Sequence, residues 1–259
     1  MARYVTIVSG KGGVGKTTSS INLGAALSFF GKDVTVVDAN LSTPNIGLHL
    51  GVPSVPIHLH HALQGKHRIT EAVYLHPGGM KVILGGLALD ELRKTNPDKL
   101  RKTLRLLRNT SDFILIDAAA GLGKEAQAAM DAGDEMLIVT NPELPAITDA
   151  LKAIRLGEQM GKDVLGVILT RTKAHNLDVS VSNVQTLLEK PVVAVIPEDT
   201  AVREALTLKD AVLYTRPQSR AALSYKKLAA DLIGQPYDPS KETKDTFFSS
   251  VLRFFRFAP

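Results

Sequence analysis

The stretch G-K-G-G-V-G-K-T-T at residues 10–18 decides the fold of this chain. Its glycines allow successive backbone N–H groups to converge on phosphate oxygens, because no Cβ stands in the way. In a loop of this kind Lys16 reaches the β- and γ-phosphates of a nucleotide, and the hydroxyl of Thr17 holds Mg²⁺. The predicted phosphate-binding residues are Gly10, Lys11, Gly12, Gly13, Val14, Gly15, Lys16, Thr17 and Thr18.

The residues on either side of the loop support this interpretation. Residues 3–9 are rich in β-branched side chains and predict a strand, and residues 19–30 predict a helix. A loop between a strand and a helix is the context that a phosphate-binding loop requires. A glycine-rich turn that binds nothing would leave the adjacent Lys16 and Thr17 unexplained.

Apolar runs and helical patterns alternate along most of the chain. They predict an α/β fold with a mostly parallel, twisted sheet that helices cover on both faces. Two of the runs, residues 34–38 and 113–117, end in Asp38 and Asp117. Because ligands bind outside the carboxyl ends of parallel strands, we expect both carboxylates to meet the phosphate-binding loop. Residues 1–234 form the predicted domain.

The composition is that of a globular protein, with 44% hydrophobic and 22% charged residues in a chain of 259. The absence of cysteine excludes disulfides and cysteine-ligated metal clusters. The sequence has no apolar window of about 18 residues and no room for a signal peptide before the first strand, so we expect a cytoplasmic protein. A net charge of +5 favours anionic partners without choosing among nucleotide, nucleic acid and lipid.

The pattern K-G-G-x-G-K-[ST] in the loop resembles the deviant Walker A motif of the MinD/ParA ATPases. The resemblance implies a P-loop NTPase that binds ATP and ADP with Mg²⁺, hydrolyses ATP and forms a homodimer in the ATP state. In that family the early lysine, here Lys11, reaches the nucleotide of the partner subunit. The alternative for Lys11 is a solvated lysine that adds positive potential beside an anion site.

The same resemblance assigns roles to the two strand-end carboxylates. Asp117 stands where the family has its Walker B carboxylate, and Asp38 where it has the switch I acid. The implied Mg²⁺ ligands are therefore Thr17, Asp38 and Asp117. As an alternative, Asp117 caps the turn that follows its strand.

Position 40 departs from the family pattern. Relatives usually have a second aspartate there that polarises the attacking water, whereas this chain has Asn40. An amide orients water by hydrogen bonding but does not accept a proton at neutral pH. We therefore predict that hydrolysis is slow. It should not be abolished, because phosphoryl transfer relies mainly on positioning and charge stabilisation. The catalytic candidates are Lys11, Lys16, Asp38 and Asn40.

Further motifs agree with the family in their order along the chain. Residues 118–121, A-A-A-G, resemble the switch II loop that senses the γ-phosphate, with Ala119 where proline is usual. Residues 167–171 and 196–199 resemble the two segments that hold adenine, with Thr170 where many relatives have asparagine. The implied nucleotide contacts in these segments are Gly121, Arg171, Pro197, Glu198 and Asp199.

The composition changes after residue 234. Residues 235–246 are rich in Pro, Ser, Lys, Asp and Glu and predict a linker. Residues 247–259 place phenylalanines on one face of a predicted helix and Arg253 and Arg256 on the other. This pattern fits a helix that lies on an anionic membrane surface, and MinD proteins end in a membrane-targeting helix of this type. The alternative is a terminal helix docked on its own domain or in a dimer groove.

These inferences favour a MinD-like ATPase that binds the inner face of the cell membrane reversibly. It would act in spatial positioning with an unidentified protein activator or cargo. One alternative is a ParA-like DNA partition ATPase, supported by a basic helix with Arg101, Lys102, Arg105 and Arg108. Another is a nucleotide-gated membrane scaffold with very little turnover, which Asn40 suggests.

A histidine cluster, H-L-H-H, contains His58, His60 and His61. Such a cluster suggests a metal site when further ligands accompany it. No carboxylate or cysteine joins these histidines at ligand spacing in the sequence. We therefore predict a polar loop here and no metal centre.

Overall fold

An eight-stranded sheet forms the centre of the computed structural model, which describes residues 2–173 and 179–242. The strands are β1 (Arg3–Val8), β2 (Val34–Ala39), β3 (Tyr74–Leu75), β4 (Lys81–Ile83), β5 (Phe113–Ala118), β6 (Glu135–Thr140), β7 (Asp163–Thr172) and β8 (Val192–Pro197). Their spatial order is β3-β4-β2-β5-β1-β6-β7-β8. Neighbouring strands run parallel, except that β3 pairs with β4 in the antiparallel direction. The predicted parallel sheet is confirmed.

Helices connect the strands and cover the sheet. They are α1 (Lys16–Phe29), α2 (Ile46–His49), α3 (Leu59–Leu63), α4 (Leu89–Arg93), α5 (Leu100–Leu104), α6 (Lys124–Ala132), α7 (Leu144–Gln159), α8 (Val181–Leu188), α9 (Thr200–Leu208), α10 (Val212–Thr215) and α11 (Arg220–Leu232). Short 3₁₀ segments lie at Ile69–Ala72, Pro97–Lys99 and Arg105–Leu107. The predicted basic helix is therefore a short α-helix, α5, flanked by 3₁₀ turns.

The central strands are buried on both faces, which explains their continuous apolar runs. Every residue of β2 and β5 is buried. Val36 and Leu115 face one layer of the core, to which α1 contributes Leu23. Val37 and Ile116 face the other layer, which α5, α6 and α7 cover. Because helices cover both faces of the sheet, polar side chains gather at the carboxyl ends of the strands.

The chain after α11 returns to the domain as far as it is described. The ring of Tyr237 lies edge-on to that of Phe30, with centroids 5.5 Å apart. The buried ammonium of Lys226 lies 2.8 Å from the carboxylate of Glu242. These contacts hold residues 235–242, the first part of the predicted linker, against α1 and α11. The predicted amphipathic helix at 247–259 lies outside the described residues.

Within the described ranges, every helix is too short or too polar to span a bilayer.

Candidate functional site

The glycine loop joins β1 to α1 at the carboxyl edge of the sheet. Gly13 and Gly15 have φ angles of 81° and 92°, a region that glycine adopts without strain. An ideal Cβ on Gly10 would lie 2.2 Å from the carbonyl oxygen of Asp149, so the loop packs directly on α7. The helix begins at Lys16, three residues before the predicted start, because the loop leads straight into its first turn.

Asp117 is the buried centre of the site. Lys16 Nζ lies 2.9 Å from Asp117 Oδ1, and the hydroxyl of Thr17 donates to Asp117 Oδ2 at 2.7 Å. Ser20, one turn further along α1, donates to Asp117 Oδ1 at 2.9 Å. The carboxylate thus binds side chains of α1 and does not cap the turn after its own strand. Ser20 was missed from the sequence, although its position four residues after Lys16 places it on the same helix face.

Asp38 lies beside Asp117 in the register of β2 and β5. Its Oδ2 atom accepts hydrogen bonds from the backbone N–H groups of Asn45 and Ile46, both at 2.8 Å. Its Oδ1 atom is buried and has no hydrogen-bond partner among the described residues. Burial, and then the charge of Asp117, raise the pKa of Asp38 to about 7. The two carboxylates form a site that favours an added positive charge.

Asn40 belongs to a loop that bends over the site. Its amide donates to the carbonyl oxygen of Thr43 at 2.5 Å and accepts from the Thr43 hydroxyl at 3.1 Å. The next part of the loop is joined to α6, since the Ser42 N–H donates to Glu125 at 3.0 Å and its hydroxyl also contacts that carboxylate. The sequence did not single out Glu125, because nothing local relates it to Ser42. The loop that resembles switch I is therefore tied to the helix after the loop that resembles switch II.

A cavity of about 820 Å³ lies between the glycine loop, the loop that contains Asn40 and the loop that contains Ala119. Gly12, Lys16, Thr17, Asn40 and Arg171 are among the residues that line it. The glycine cradle, the lysine and the oxygen ligands of Thr17, Asp38 and Asp117 fit a nucleotide with Mg²⁺, since Mg²⁺ prefers oxygen ligands. The buried, unpartnered Asp38 Oδ1 atom is the observation that most favours a cation ligand at this point.

Lys11 lies at the outer side of the loop. Its ammonium is 3.7 Å from the carboxylate of Glu143, and the two side chains are 47% and 57% exposed. An exposed pair of this kind contributes little stability and is easily exchanged. Lys11 is therefore available to another partner.

Gly121 has a φ angle of 80°, and its N–H donates to the carbonyl oxygen of Ser9 at 3.0 Å. In this conformation its N–H binds the backbone beside the glycine loop. A role in sensing phosphate would require this hydrogen bond to open.

A second cavity, of about 310 Å³, opens beside the first and is lined by Arg171, Pro197, Glu198 and Asp199. The structure thus brings the residues of both predicted adenine segments together. The Asp199 carboxylate, however, accepts from the N–H groups of Ala201 at 2.9 Å and Ala221 at 3.1 Å. Asp199 therefore caps α9 and holds the start of α11.

Thr170, at the predicted position of a base contact, performs a different task. It is buried, its hydroxyl donates to the carbonyl oxygen of Val14 at 2.6 Å, and the Thr140 carbonyl lies at 3.1 Å. This contact fixes the glycine loop to β7. The Thr170 hydroxyl is therefore engaged with the backbone, although the residue also lines the second cavity.

The predicted polar loop at the histidines is wrong, because Leu59–Leu63 form α3 and a carboxylate does join His58 and His61. His58 Nε2 and His61 Nε2 lie 3.0 and 2.8 Å from the two carboxylate oxygens of Glu91. Glu91 comes from α4, thirty positions after His61. Spacing in the sequence did not reveal it because the contact depends on how two short helices pack.

The basic helix is engaged in ion pairs. Arg101 lies 2.9 Å from Asp131, and Arg105 donates to Asp134 at 2.8 Å while its guanidinium covers the ring of Tyr4. Two of the four basic residues thus neutralise acids of their own domain. The arrangement is that of a solvated surface and gives little support to nucleic-acid binding.

Three comparisons with known proteins agree with this geometry. Residues 5–212 match the CobQ/CobB/MinD/ParA nucleotide-binding domain. An uncharacterised ATP-binding protein of Methanocaldococcus jannaschii is 38% identical over 254 residues, which are 98% of this chain and 96% of that protein. The cell division ATPase MinD of Pyrococcus furiosus superposes with a TM-score of 0.87 at 36% identity, covering 90% of this chain and 99% of its own. The septum site-determining protein MinD of Pyrococcus horikoshii, complexed with Mg-ADP, gives a TM-score of 0.86 at 37% identity, covering 90% and 96%.

Proposed function

Because the chain belongs to the CobQ/CobB/MinD/ParA nucleotide-binding family, we propose that it is a MinD-like ATPase that binds ATP with Mg²⁺ and hydrolyses it slowly. The observation that carries this proposal is the pair of buried carboxylates below the glycine loop, with Asp38 Oδ1 unpartnered among the described residues. A buried carboxylate oxygen without a partner is costly, and a bound cation removes that cost. The glycine cradle and Lys16 supply the matching site for the phosphates.

Different residues of the site would bind the phosphates, the Mg²⁺ ion and the base. The backbone N–H groups of the loop and the ammonium of Lys16 hold the phosphates. Lys16 therefore gives up its ion pair with Asp117 and contacts a phosphate oxygen instead. Thr17, Asp38 and Asp117 hold Mg²⁺, which when bound neutralises charge on the phosphate oxygens. Arg171, Pro197 and Glu198 line the space beside them for the base.

Asn40 makes the turnover slow. It positions water through its amide but cannot accept a proton. Its side chain is also held by Thr43, at 2.5 and 3.1 Å, which leaves one amide N–H and one oxygen lone pair to bind water. The same contacts support a second candidate function, a nucleotide-gated scaffold with very little turnover. A steady-state ATPase assay with lipid vesicles separates the two, because a scaffold stays near the uncatalysed rate.

We further propose that ATP drives a homodimer in which Lys11 contacts the nucleotide of the partner. Support comes from the exposed position of Lys11 and from its weak pairing with Glu143. Lys16→Ala should abolish nucleotide binding, whereas Lys11→Ala should retain it and lose the dimer. Sedimentation with a non-hydrolysable ATP analogue measures both. Lys152→Ala, which removes another exposed lysine paired with an acid, is the matched control and should behave as the wild type. A dimer that survives Lys11→Ala would contradict the proposal.

Reversible membrane binding through residues 247–259 completes the proposed activity. Its support is the sequence pattern of phenylalanines opposite arginines. Two tails in one dimer bind more tightly than one, so ATP binding controls attachment. The protein would then act at the inner face of the cell membrane in spatial positioning, together with a protein activator or cargo.

A further inference from the structure

Two histidines and a carboxylate meet at one point outside the nucleotide cavity. His58 is the residue before α3, His61 lies in α3, and Glu91 lies in α4. One ligand atom from each lies within 4.8 Å of the others. The two Nε2 atoms face the same carboxylate, at 3.0 and 2.8 Å from its oxygens.

We propose that His58, His61 and Glu91 bind one transition-metal ion of the Zn²⁺ class. Two imidazole nitrogens and one carboxylate are a ligand set that Zn²⁺, Co²⁺ and Ni²⁺ accept. Mg²⁺ and Ca²⁺ prefer oxygen ligands, so the two nitrogens select against them. The proposal does not depend on ATP binding, since none of its ligands lines the nucleotide cavity.

The surrounding packing holds the ligands in place before any ion arrives. The rings of His58 and His61 are stacked, with centroids 3.8 Å apart and planes inclined by 23°. An ideal Cβ on Gly86 would lie 2.3 Å from Cε1 of His58, so the backbone at Gly86 closes one side of that ring. The side chains of His58 and His61 are 9% and 17% exposed. Partial burial of this kind excludes much competing water.

His60 lies between the two ligands in sequence, and both of its ring nitrogens already have backbone hydrogen-bond partners. Its Nε2 atom lies 3.2 Å from the Leu41 carbonyl oxygen, and its Nδ1 atom accepts from the Gly86 N–H at 2.9 Å. It therefore holds α3 against the neighbouring segments and is not a ligand. Three protein ligands leave a fourth position open. A cavity of about 380 Å³ lined by His58, Glu91 and Ser54 has room for a water or a small anion there.

The affinity should be moderate. Ligating histidines usually donate their second N–H group to a carboxylate, carbonyl or water, and loss of such a partner typically costs about 10- to 100-fold in affinity. Nδ1 of His58 and Nδ1 of His61 are buried and have no partner among the described residues. We therefore expect an exchangeable ion and not a permanent structural zinc.

The test is a titration of the nucleotide-free full chain, without Mg²⁺, using Co²⁺. Co²⁺ bound to nitrogen ligands has visible absorption, and displacement by Zn²⁺ confirms a common site. The expected result is one ion per chain with the absorption of nitrogen ligation, since any Co²⁺ held by Asp38 and Asp117 has oxygen ligands alone. Glu91→Gln, which keeps the shape of the side chain, and His61→Asn should each weaken binding by at least about tenfold.

The matched control is His67→Asn. His67 also pairs with a carboxylate, Glu71 at 2.9 Å, and its ring lies 5.7 Å from that of His61, but it is outside the ligand set. Its replacement should leave Co²⁺ binding unchanged. Nucleotide binding measured on the same samples shows that each variant is folded. The proposal is overturned if the wild type gives no saturable Co²⁺ absorption, or if folded Glu91→Gln and His61→Asn variants bind the ion as the wild type does. In either case the Glu91 carboxylate is simply a hydrogen-bond acceptor for two imidazole N–H groups.

Discussion

Replacing Asp38 with asparagine should stabilise the nucleotide-free protein, and the stabilisation should grow with pH. The folded chain raises the pKa of this carboxyl group from 3.8 to about 7, through burial and then the charge of Asp117. A carboxyl group with a raised pKa binds its proton more tightly in the folded state. Its contribution to stability is therefore fully present at low pH and is lost as the pH rises through about 7.

The size of the effect follows from the same values. Compared with a side chain that does not ionise, Asp38 disfavours folding by about 4 kcal/mol at pH 8 and about 2 kcal/mol at pH 5, because the unfolded chain gains more from ionising this group. The amide introduced by Asp38→Asn would not ionise, and its carbonyl oxygen can still accept from the N–H groups of Asn45 and Ile46. The difference in free energy of unfolding between Asp38→Asn and the wild type should thus increase by about 2–3 kcal/mol between pH 5 and pH 8. Any effect of Asp38→Asn on packing shifts the free energy of unfolding equally at every pH, so it does not alter this change with pH.

The measurement is urea unfolding of both proteins at several pH values, with EDTA present to exclude cations. Asp231→Asn replaces an exposed carboxylate paired with Lys227 and serves as the control, whose difference from the wild type should stay the same across the range. Mg²⁺ with ATP should reverse the order of stability, because Asp38→Asn loses a metal ligand. A difference that is constant with pH, or that shrinks as the pH rises, would refute the account of the buried carboxylate pair.

Three further outcomes are expected. Asn40→Asp should raise the ATPase turnover measurably, and a variant slower than the wild type would show that the loop is misaligned with switch I. Deletion of residues 247–259 should abolish co-sedimentation with anionic vesicles in ATP while leaving ATP binding intact; retained lipid binding with a lower melting temperature would instead indicate a docked tail. Thr170→Val should lower the free energy of unfolding by about 1–3 kcal/mol, because the carbonyls of Val14 and Thr140 lose a buried donor; calorimetry that shows no loss would contradict the role of Thr170 as a loop anchor.

Local sequence patterns predicted the parts of the site that depend on a single stretch of chain. The glycine loop between β1 and α1 follows from its own residues, since only glycine adopts the φ angles of Gly13 and Gly15 without strain. Asp38 and Asp117 end apolar runs, and parallel strands bring such ends to one edge of the sheet. The fold class and the meeting of the carboxylates with the loop were therefore within reach of the sequence.

Most of the short helices and the edge strand between residues 45 and 110 could not be predicted from the sequence. Helices of four or five residues such as α2, α3 and α4 carry too few positions to show a helical period, so the sequence predicted a loop at α3 and gave no prediction for α2 and α4. Their positions depend on packing against the sheet. The same is true of β3, a two-residue antiparallel edge strand.

The amino-acid sequence by itself determined that this chain is an α/β nucleotide-binding protein with one phosphate loop and two strand-end acids. The tertiary structure alone decided which groups those side chains contact. It left one oxygen of Asp38 unpartnered within the described residues, bound the Thr170 hydroxyl to the glycine loop, and placed Glu91 beside His58 and His61. The physical reason is the separation of the interacting residues along the chain. A helical period or a turn is set by residues close in sequence, whereas a contact between distant helices is set by how their faces pack.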